Sequence, residues 1–408
     1  MSAVEVCIFL AGLIGYSLVS RRTEAWPLTM PMVFVTFGVL TDATDFIDLR
    51  IEEEGVALLG EVALAVLLFS DAVRLDTMRL RREALLPIRL LAIGLPLSIA
   101  LGAVGIALLL PSLSIWEAAL IAAILAPTDA ALGQAVIEDE RVPAPIRQGL
   151  NVESGLNDGV ALPAVLLFAA LASGEDAAAG FWITFVLRQV GGGLLVGLAV
   201  GLGGGWLLRH SLRANWIEGI FAQLATLGLA LLALSGAVAV GANGFIAAFV
   251  AGLSFGAIGN TAVMLDEYAE DTGRLLSLVM FFVFGNIFVR PAFAAISLVV
   301  VVCVLGSLTI GRVLPVLIAL APGRPNWRTV AFVGWFGPRG LASILFGLVL
   351  VEEKLSGADD LFAIISLTVL ASVFLHGATA TWGAGWYGDW WNRALTDRER
   401  LHVRDDAG

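Results

Sequence analysis

An all-α polytopic membrane protein of about thirteen transmembrane helices is the fold class this sequence predicts. Three observations point to it. Apolar residues make up 59% of the 408-residue chain, and mean hydropathy is +0.91. Charged residues make up only 14%, where a soluble domain carries about 25%. The apolar residues also fall in long continuous runs, not in the alternating pattern of a barrel strand. A water-soluble globule cannot cover its surface with so few polar groups, which excludes a soluble enzyme, a nucleic-acid binder and a disordered chain. Cys7 and Cys303 both lie inside apolar runs, so no disulfide framework is implied.

A hydrocarbon core of about 30 Å needs roughly 20 residues of apolar helix. With Gly, Pro and charge clusters as breaks, the runs lie near 3–20, 25–40, 55–73, 84–110, 113–137, 146–172, 181–208, 216–238, 241–257, 273–289, 292–320, 328–350 and 361–383. The second is short and carries Pro27 and Pro31. The first is too long and wrongly flanked for a cleaved signal peptide.

Orientation follows from arginine placement. Arg21 and Arg22 follow the first run, which puts the N-terminus outside. Alternating loops then place 18 basic residues inside: Arg21, Arg22, Arg74, Arg79, Arg81, Arg82, Arg89, Arg141, Arg147, Arg209, Arg213, Arg274, Arg324, Arg328 and four in the C-terminal tail. Three, Arg50, Arg290 and Lys354, fall outside. An odd number of crossings and a cytoplasmic C-terminus are expected, in a bacterial or archaeal plasma membrane. The outer loop with Asp42, Asp45, Asp48, Glu52, Glu53 and Glu54 reads as a solvated acidic loop. Loops and tail are too short for an attached soluble domain, so function is expected in the membrane part.

An ionisable group at mid-helix costs roughly 2.5–3.5 kcal/mol, so it persists only where it pairs, lines a cavity or carries ions. The deep ones are Glu61, Asp129, Glu153, Asp158, Arg312 and Arg339, with Asp71 and Arg188 nearer span ends. Asp129 closes Ala126-Pro127-Thr128-Asp129 in the fifth run, where proline disturbs the helix. The sixth run reads Asn151-Val152-Glu153-Ser154-Gly155-Leu156-Asn157-Asp158. Glu153 and Asn157 share one helix face, as do Ser154 and Asp158. Such oxygen-rich faces suit a hard monovalent cation; the alternative is a polar cluster that only joins helices.

The twelfth run is broken in the same way by Gly337-Pro338-Arg339-Gly340. Two crossing broken helices bring half-helix N-termini together, which need an anion, and C-termini together, which need a cation. Asp129 and Arg339 fit those two positions. Broken runs at corresponding places in two halves point to a transporter binding site. Spans one to six and eight to thirteen then form inverted repeats, with the seventh as connector.

With these motifs in this order and spacing, the sequence resembles the monovalent cation:proton antiporters of the NhaP-type sodium/proton exchanger family over nearly its whole length. The most specific elements are Glu153-Ser154-x-x-Asn157-Asp158 and Thr128-Asp129, then Gly337 to Gly340 and Gly311-Arg312. The resemblance implies that Asp158 carries the proton or the cation. It implies that Thr128, Asp129, Ser154 and Asn157 help build the ion site, with Asp158 and Asp129 holding a transported Na+, K+ or Li+ that is cargo and not a structural metal. It also implies that Glu153 pairs with Arg312 and that Arg339 belongs to the helix crossing. Members with Asn before this Asp are taken as electroneutral one-for-one exchangers, and the family's dimeric habit implies a homodimer. Family members often have Pro after the first aspartate, where this chain has Ala130.

The expected organisation is scaffold helices in 1–83, transport-core helices in 84–172, linker and scaffold in 173–291, core in 292–385 and a short cytoplasmic tail in 386–408. The expected partners are monovalent cations, protons and membrane lipid, without cofactor or nucleic acid. A lone carboxylate in a partly dehydrated cavity is neutralised by a proton or by a cation, so the two compete. If access changes only when Asp158 is neutral, transport becomes obligatory exchange, driven by opposing gradients.

A cation channel is the alternative transport reading, but the charges converge on one midplane cluster and not along a pore. An intramembrane aspartyl protease using Asp129 and Asp158 is a remote third reading, since the Gly-x-Gly-Asp signature is absent. Gly193, Gly197, Gly201 and Gly205 form a four-residue repeat that permits close helix approach, either within the chain or across a dimer. His376 reads as a hydrogen-bonded packing residue, and Glu61 as lining a cavity or pairing locally. Trp382, Trp386, Tyr387, Trp390 and Trp391 read as an interfacial anchor.

Overall fold

The computed structural model describes residues 3–23, 28–44, 53–74, 85–173, 184, 187–257, 260–323, 325–352 and 358–405, and the side chains of most of these. Pro27, Asp45, Asp48, Arg50, Glu52, Arg79, Arg81, Arg82, Arg324 and Lys354 lie outside the described residues. So do the side chains of Arg21, Arg22, Glu53, Glu54, Arg398, Arg400 and Arg404.

The described residues form helices, without a strand among them. In chain order these are α1 Ala3–Thr23, α2 Met30–Ala43, α3 Glu53–Val73 and α4 Leu85–Leu109, which contains a π turn at Leu90–Gly94. Then come α5 Ile115–Leu125, α6 Ala130–Ile137, α7 Ala144–Ala172, α8 Leu187–Arg213, α9 Gly219–Ala239 and α10 Gly244–Gly256. Helix α11, Asn260–Val283, continues through a π turn, Phe284–Phe288, into Val289–Ala294. The rest are α12 Leu298–Leu308, α13 Ile310–Leu320, α14 Trp327–Trp335, α15 Leu341–Glu352 and α16 Ala358–Asp405. Seven stretches among the described residues are long and apolar enough to cross a membrane. Large apolar side chains such as Leu18, Leu108 and Leu298 stand more than three-quarters exposed, as a lipid-facing surface requires.

Helix starts follow local chemistry. Ser114 and Glu117 form a reciprocal cap at α5: Ser114 Oγ accepts from the Glu117 amide, and Glu117 Oε2 accepts from the Ser114 amide. Asn243, Ser297 and Asn326 accept first-turn amides at α10, α12 and α14. Some helices outrun their apolar runs. The tenth run, expected at 273–289, belongs to a helix beginning at Asn260, and the last run continues as helix to Asp405. Hydropathy marks where lipid lies; polar residues can extend the same hydrogen-bonded spiral into water.

Two packing groups surround the site. Helix α3 packs on α10 and α11, α8 on α10, and α2 on α11. On the other side α5 packs against α4 and α7, α13 against α14, and α16 against α6 and α12. Every residue of α5 from Glu117 to Leu125 is buried, so this helix stands at the centre. The glycine repeat lies within the chain: Cβ atoms at Gly193, Gly197 and Gly201 would run into the backbone of α10 at Asn243, Ala247 and Ala251. That packing accounts for three of the four glycines of the repeat.

Candidate functional site

The two broken spans cross. Helix α5 stops at Leu125 and α6 begins at Ala130; α14 stops at Trp335 and α15 begins at Leu341. The unwound segments touch directly, the Asp129 amide donating to the Pro338 carbonyl at 2.8 Å.

Each break strands backbone groups at membrane depth, and each set finds a charged side chain. Asp129 is the N-cap of α6, its Oδ1 accepting from the Leu132 amide at 3.1 Å. Its Oδ2 accepts from the Leu341 amide, the first residue of α15, at 2.8 Å. One carboxylate therefore sits at two partly positive helix ends. At the opposite pole, the Arg339 Nη1 donates to the Ala126 and Pro127 carbonyls beyond the C-terminus of α5, the latter at 2.9 Å. Ser343 Oγ donates to the Ile124 carbonyl at 2.8 Å, and the Arg339 amide donates to Ser372 Oγ at 2.6 Å.

Glu153 and Arg312 face each other at the core of this crossing, both 2% exposed. The fork is bidentate, Nη1 to Oε1 at 2.5 Å and Nη2 to Oε2 at 2.8 Å. The 337–340 motif is small for a reason: a Cβ at Gly337 would lie 2.5 Å from the Arg312 Nε, and one at Gly340 would run into the Asp129 carboxylate. Glycine at both positions lets the second break approach the charges of the first half.

Beside the crossing, Thr128 Oγ1 lies 2.9 Å from Ser154 Oγ and accepts from Asn157 Nδ2 at 2.6 Å. Asn157 Oδ1 and Asp158 Oδ1 are buried without a hydrogen-bond partner among the described residues. Asp158, Asp129 and Ser154 line a cavity of about 340 Å³, together with Asp71, Asn151 and Ser277. A water needs about 10–15 Å³ of such space, so this cavity has room for many. Its lining continues to Arg74, Glu138, Glu270 and Arg274, where Glu270 pairs with both arginines.

Of the residues singled out from sequence, the cavity wall holds Asp129, Ser154 and Asp158. Thr128 and Asn157 stand behind it as a hydrogen-bonded second layer, and Glu153, Arg312 and Arg339 brace the crossing. Glu61 is exposed on α3 and is not in the cavity wall. His376 is buried, with Nδ1 3.0 Å from Ser372 Oγ, and packs on Trp335. Asp71 is the wall residue that sequence placed only at a span end. Its depth was visible, but its direction depends on how α3 turns. Asn151 opens the polar stretch of the sixth run but was given no role there, and Ser343 and Ser372 carried no signal, since single polar residues recur throughout these spans.

The chain is 25% identical over 379 residues to the K+/H+ antiporter NhaP2 of Shewanella oneidensis, covering 90% of this chain and 64% of that protein. It is 25% identical over 399 residues to the K+/H+ antiporter NhaP of Alkalimonas amylolytica, covering 95% and 67%. A Na+/H+ antiporter of Schizosaccharomyces pombe is 25% identical over 313 residues, covering 66% and 64%. The chain thus spans about two thirds of the length of these relatives. A solved structure of the sodium proton antiporter MjNhaP1 from Methanocaldococcus jannaschii shares the fold, with a TM-score of 0.75 over 93% of this chain and 97% of that one, at 18% identity. The family model described as sodium/hydrogen exchanger, transmembrane, matches residues 7–384. The chain is therefore a multi-pass membrane protein that belongs to the sodium/hydrogen exchanger family.

Proposed function

We propose that this protein exchanges a monovalent alkali cation, Na+ or K+, for a proton across the membrane, with the two ligands competing for Asp158. The observation that carries this reading is the Asp158 carboxylate itself: one oxygen is buried without a partner among the described residues, on the wall of a cavity shared with Asp129 and Ser154. A carboxylate so placed needs either a proton or a cation. The relatives named as K+/H+ and Na+/H+ antiporters supply the choice of cations.

Both oxygens of Asp129 already accept backbone amides. It contributes charge and shape to the site, while Asp158 changes its ligand. Asn157, not a second acid, precedes Asp158, which supports one proton for one cation and hence electroneutral exchange. Thr128 and Asn157 hold the Ser154 hydroxyl in place.

Access alternates by movement of residues 84–172 and 292–385, the two inverted repeats' site-bearing parts, against scaffold residues 1–83 and 173–291. The two packing groups support this division. In the orientation with the N-terminus outside and the tail, 386–408, in the cytoplasm, Arg74 and Arg274 lie inside. The cavity then opens inward. The protein works as a homodimer in a bacterial or archaeal plasma membrane.

The test is sodium- and potassium-driven proton movement in proteoliposomes carrying Asp158→Asn. Exchange falls to the rate of empty vesicles, with the variant still folded. Undiminished exchange removes Asp158 from this role. Cation flux that continues without a counter-moving proton replaces exchange by conduction.

A further inference from the structure

The start of α14 and the second half of α16 form a cleft of about 360 Å³ lined by Arg328, Trp386, Trp390 and Arg393. The Arg328 guanidinium lies over two indole rings, 5.5 Å from the Trp327 centroid and 5.4 Å from that of Trp390. Arg393 is exposed, its Nε donating to the Asp389 carbonyl at 3.0 Å. Among the described residues, neither arginine is joined to a carboxylate. The cleft is built on a rigid base. Tyr387 is fully buried beneath it, hydrogen-bonded to Thr329 at 2.9 Å and stacked on Phe332 at 4.3 Å.

We propose that this cleft binds the phosphate of an anionic phospholipid headgroup. Three features converge on that ligand. Two guanidinium groups free of carboxylates offer the planar donors that phosphate oxygens match. The indoles of Trp327 and Trp386 stand exposed at the cleft, as tryptophan does at the level of lipid headgroups. The α14 N-terminus adds its partial positive charge on the same side. A soluble anion would need only the charges. An indole-rimmed cleft between lipid-facing helices also receives the glycerol and first methylenes of a lipid. The bound lipid would tie α14, which leads into the second break, to α16, which holds Arg339 through Ser372.

The experiment is lipid titration of the detergent-purified full chain, read by native mass spectrometry and by thermal unfolding. The probes are phosphatidylglycerol, phosphatidylcholine and inorganic phosphate. Phosphatidylglycerol binds and raises the melting temperature; the other two do not. The double variant R328Q/R393Q binds phosphatidylglycerol roughly 25-fold more weakly, about fivefold for each arginine. It melts at the wild-type temperature without lipid, and R328K/R393K, which keeps the charge but loses the planar fork, recovers only part of the affinity. Equal binding of phosphatidylcholine, or unchanged affinity in the double variant, overturns the proposal. Equal stabilisation by inorganic phosphate would make the cleft a soluble-anion site and overturns the lipid assignment.

Discussion

The Asp129 Oδ2 accepts a hydrogen bond from the Leu341 amide at 2.8 Å, across 212 residues of sequence. A side chain in the first broken helix thereby caps the second, while its other oxygen caps its own.

This double duty gives a graded prediction. Asp129→Asn keeps one acceptor and turns an N–H toward the other amide, so one cap is lost. Asp129→Ala loses both. With about 1 kcal/mol for each cap, the alanine variant loses about 2 kcal/mol and the asparagine variant about half that. Gly340→Ala produces a similar defect from the other side, since its Cβ would lie 2.7 Å from the Asp129 Cβ. Thermal unfolding in detergent orders the three; equal melting temperatures would contradict the shared cap.

Glu153→Gln strands the buried Arg312 guanidinium. The expected loss is about 3–5 kcal/mol, because a buried charge without its partner is left uncompensated. Glu153→Gln combined with Arg312→Met recovers much of that loss by removing the orphan charge. A double variant no more stable than the single one would show that the pair is not the source of the effect.

Gly197→Ala tests the glycine repeat. Its Cβ would meet the Ala247 carbonyl at 2.6 Å and the Val250 Cβ at 2.7 Å, an overpacking that costs about 1–3 kcal/mol. Folded yield falls while light scattering reports an unchanged oligomer. A change in oligomeric state at constant stability would move the repeat to a subunit interface.

The α6–α7 loop carries a pH-dependent tie. The Arg141 guanidinium hydrogen-bonds Asp139 and holds its carboxyl below the ordinary value of 3.8. A depressed acid stabilises the fold above its unfolded value and loses that contribution as pH falls through the lower folded one. Asp139→Asn therefore destabilises the protein at neutral pH, and the difference from wild type shrinks below about pH 3.8. Melting curves across that range follow it; a constant difference would exclude the ion pair as the cause.

Much of this architecture was legible in the sequence because lipid imposes a coarse rule. Continuous apolar runs mark helices, and acids or arginines within them mark special positions. Pro127 and Pro338 showed where helices break, and the spacing of Glu153, Ser154, Asn157 and Asp158 showed which side chains share a face. Which residue reaches the cavity was not legible. Thr128 and Ser154 are both small hydroxyl residues, yet only Ser154 is in the wall. Helix azimuth decides this, and many weak packing contacts fix azimuth. The polar extensions of α11 and α16 escaped for a different reason, since a helix in water needs no apolar run.

Because Asp129 holds both half-helices at one pole, and Arg339 spans from the second break to the first at the other, the two breaks form a single riveted joint. Neither half can tilt by itself without tearing amides or carbonyls from their charges. Any displacement that reorients the site carries both halves as one block. In the proposed exchange cycle, the face where α7 meets α3 and α10 lies outside this joint. Gly159 of α7 marks that face, where a Cβ would lie 3.0 Å from the Phe249 ring.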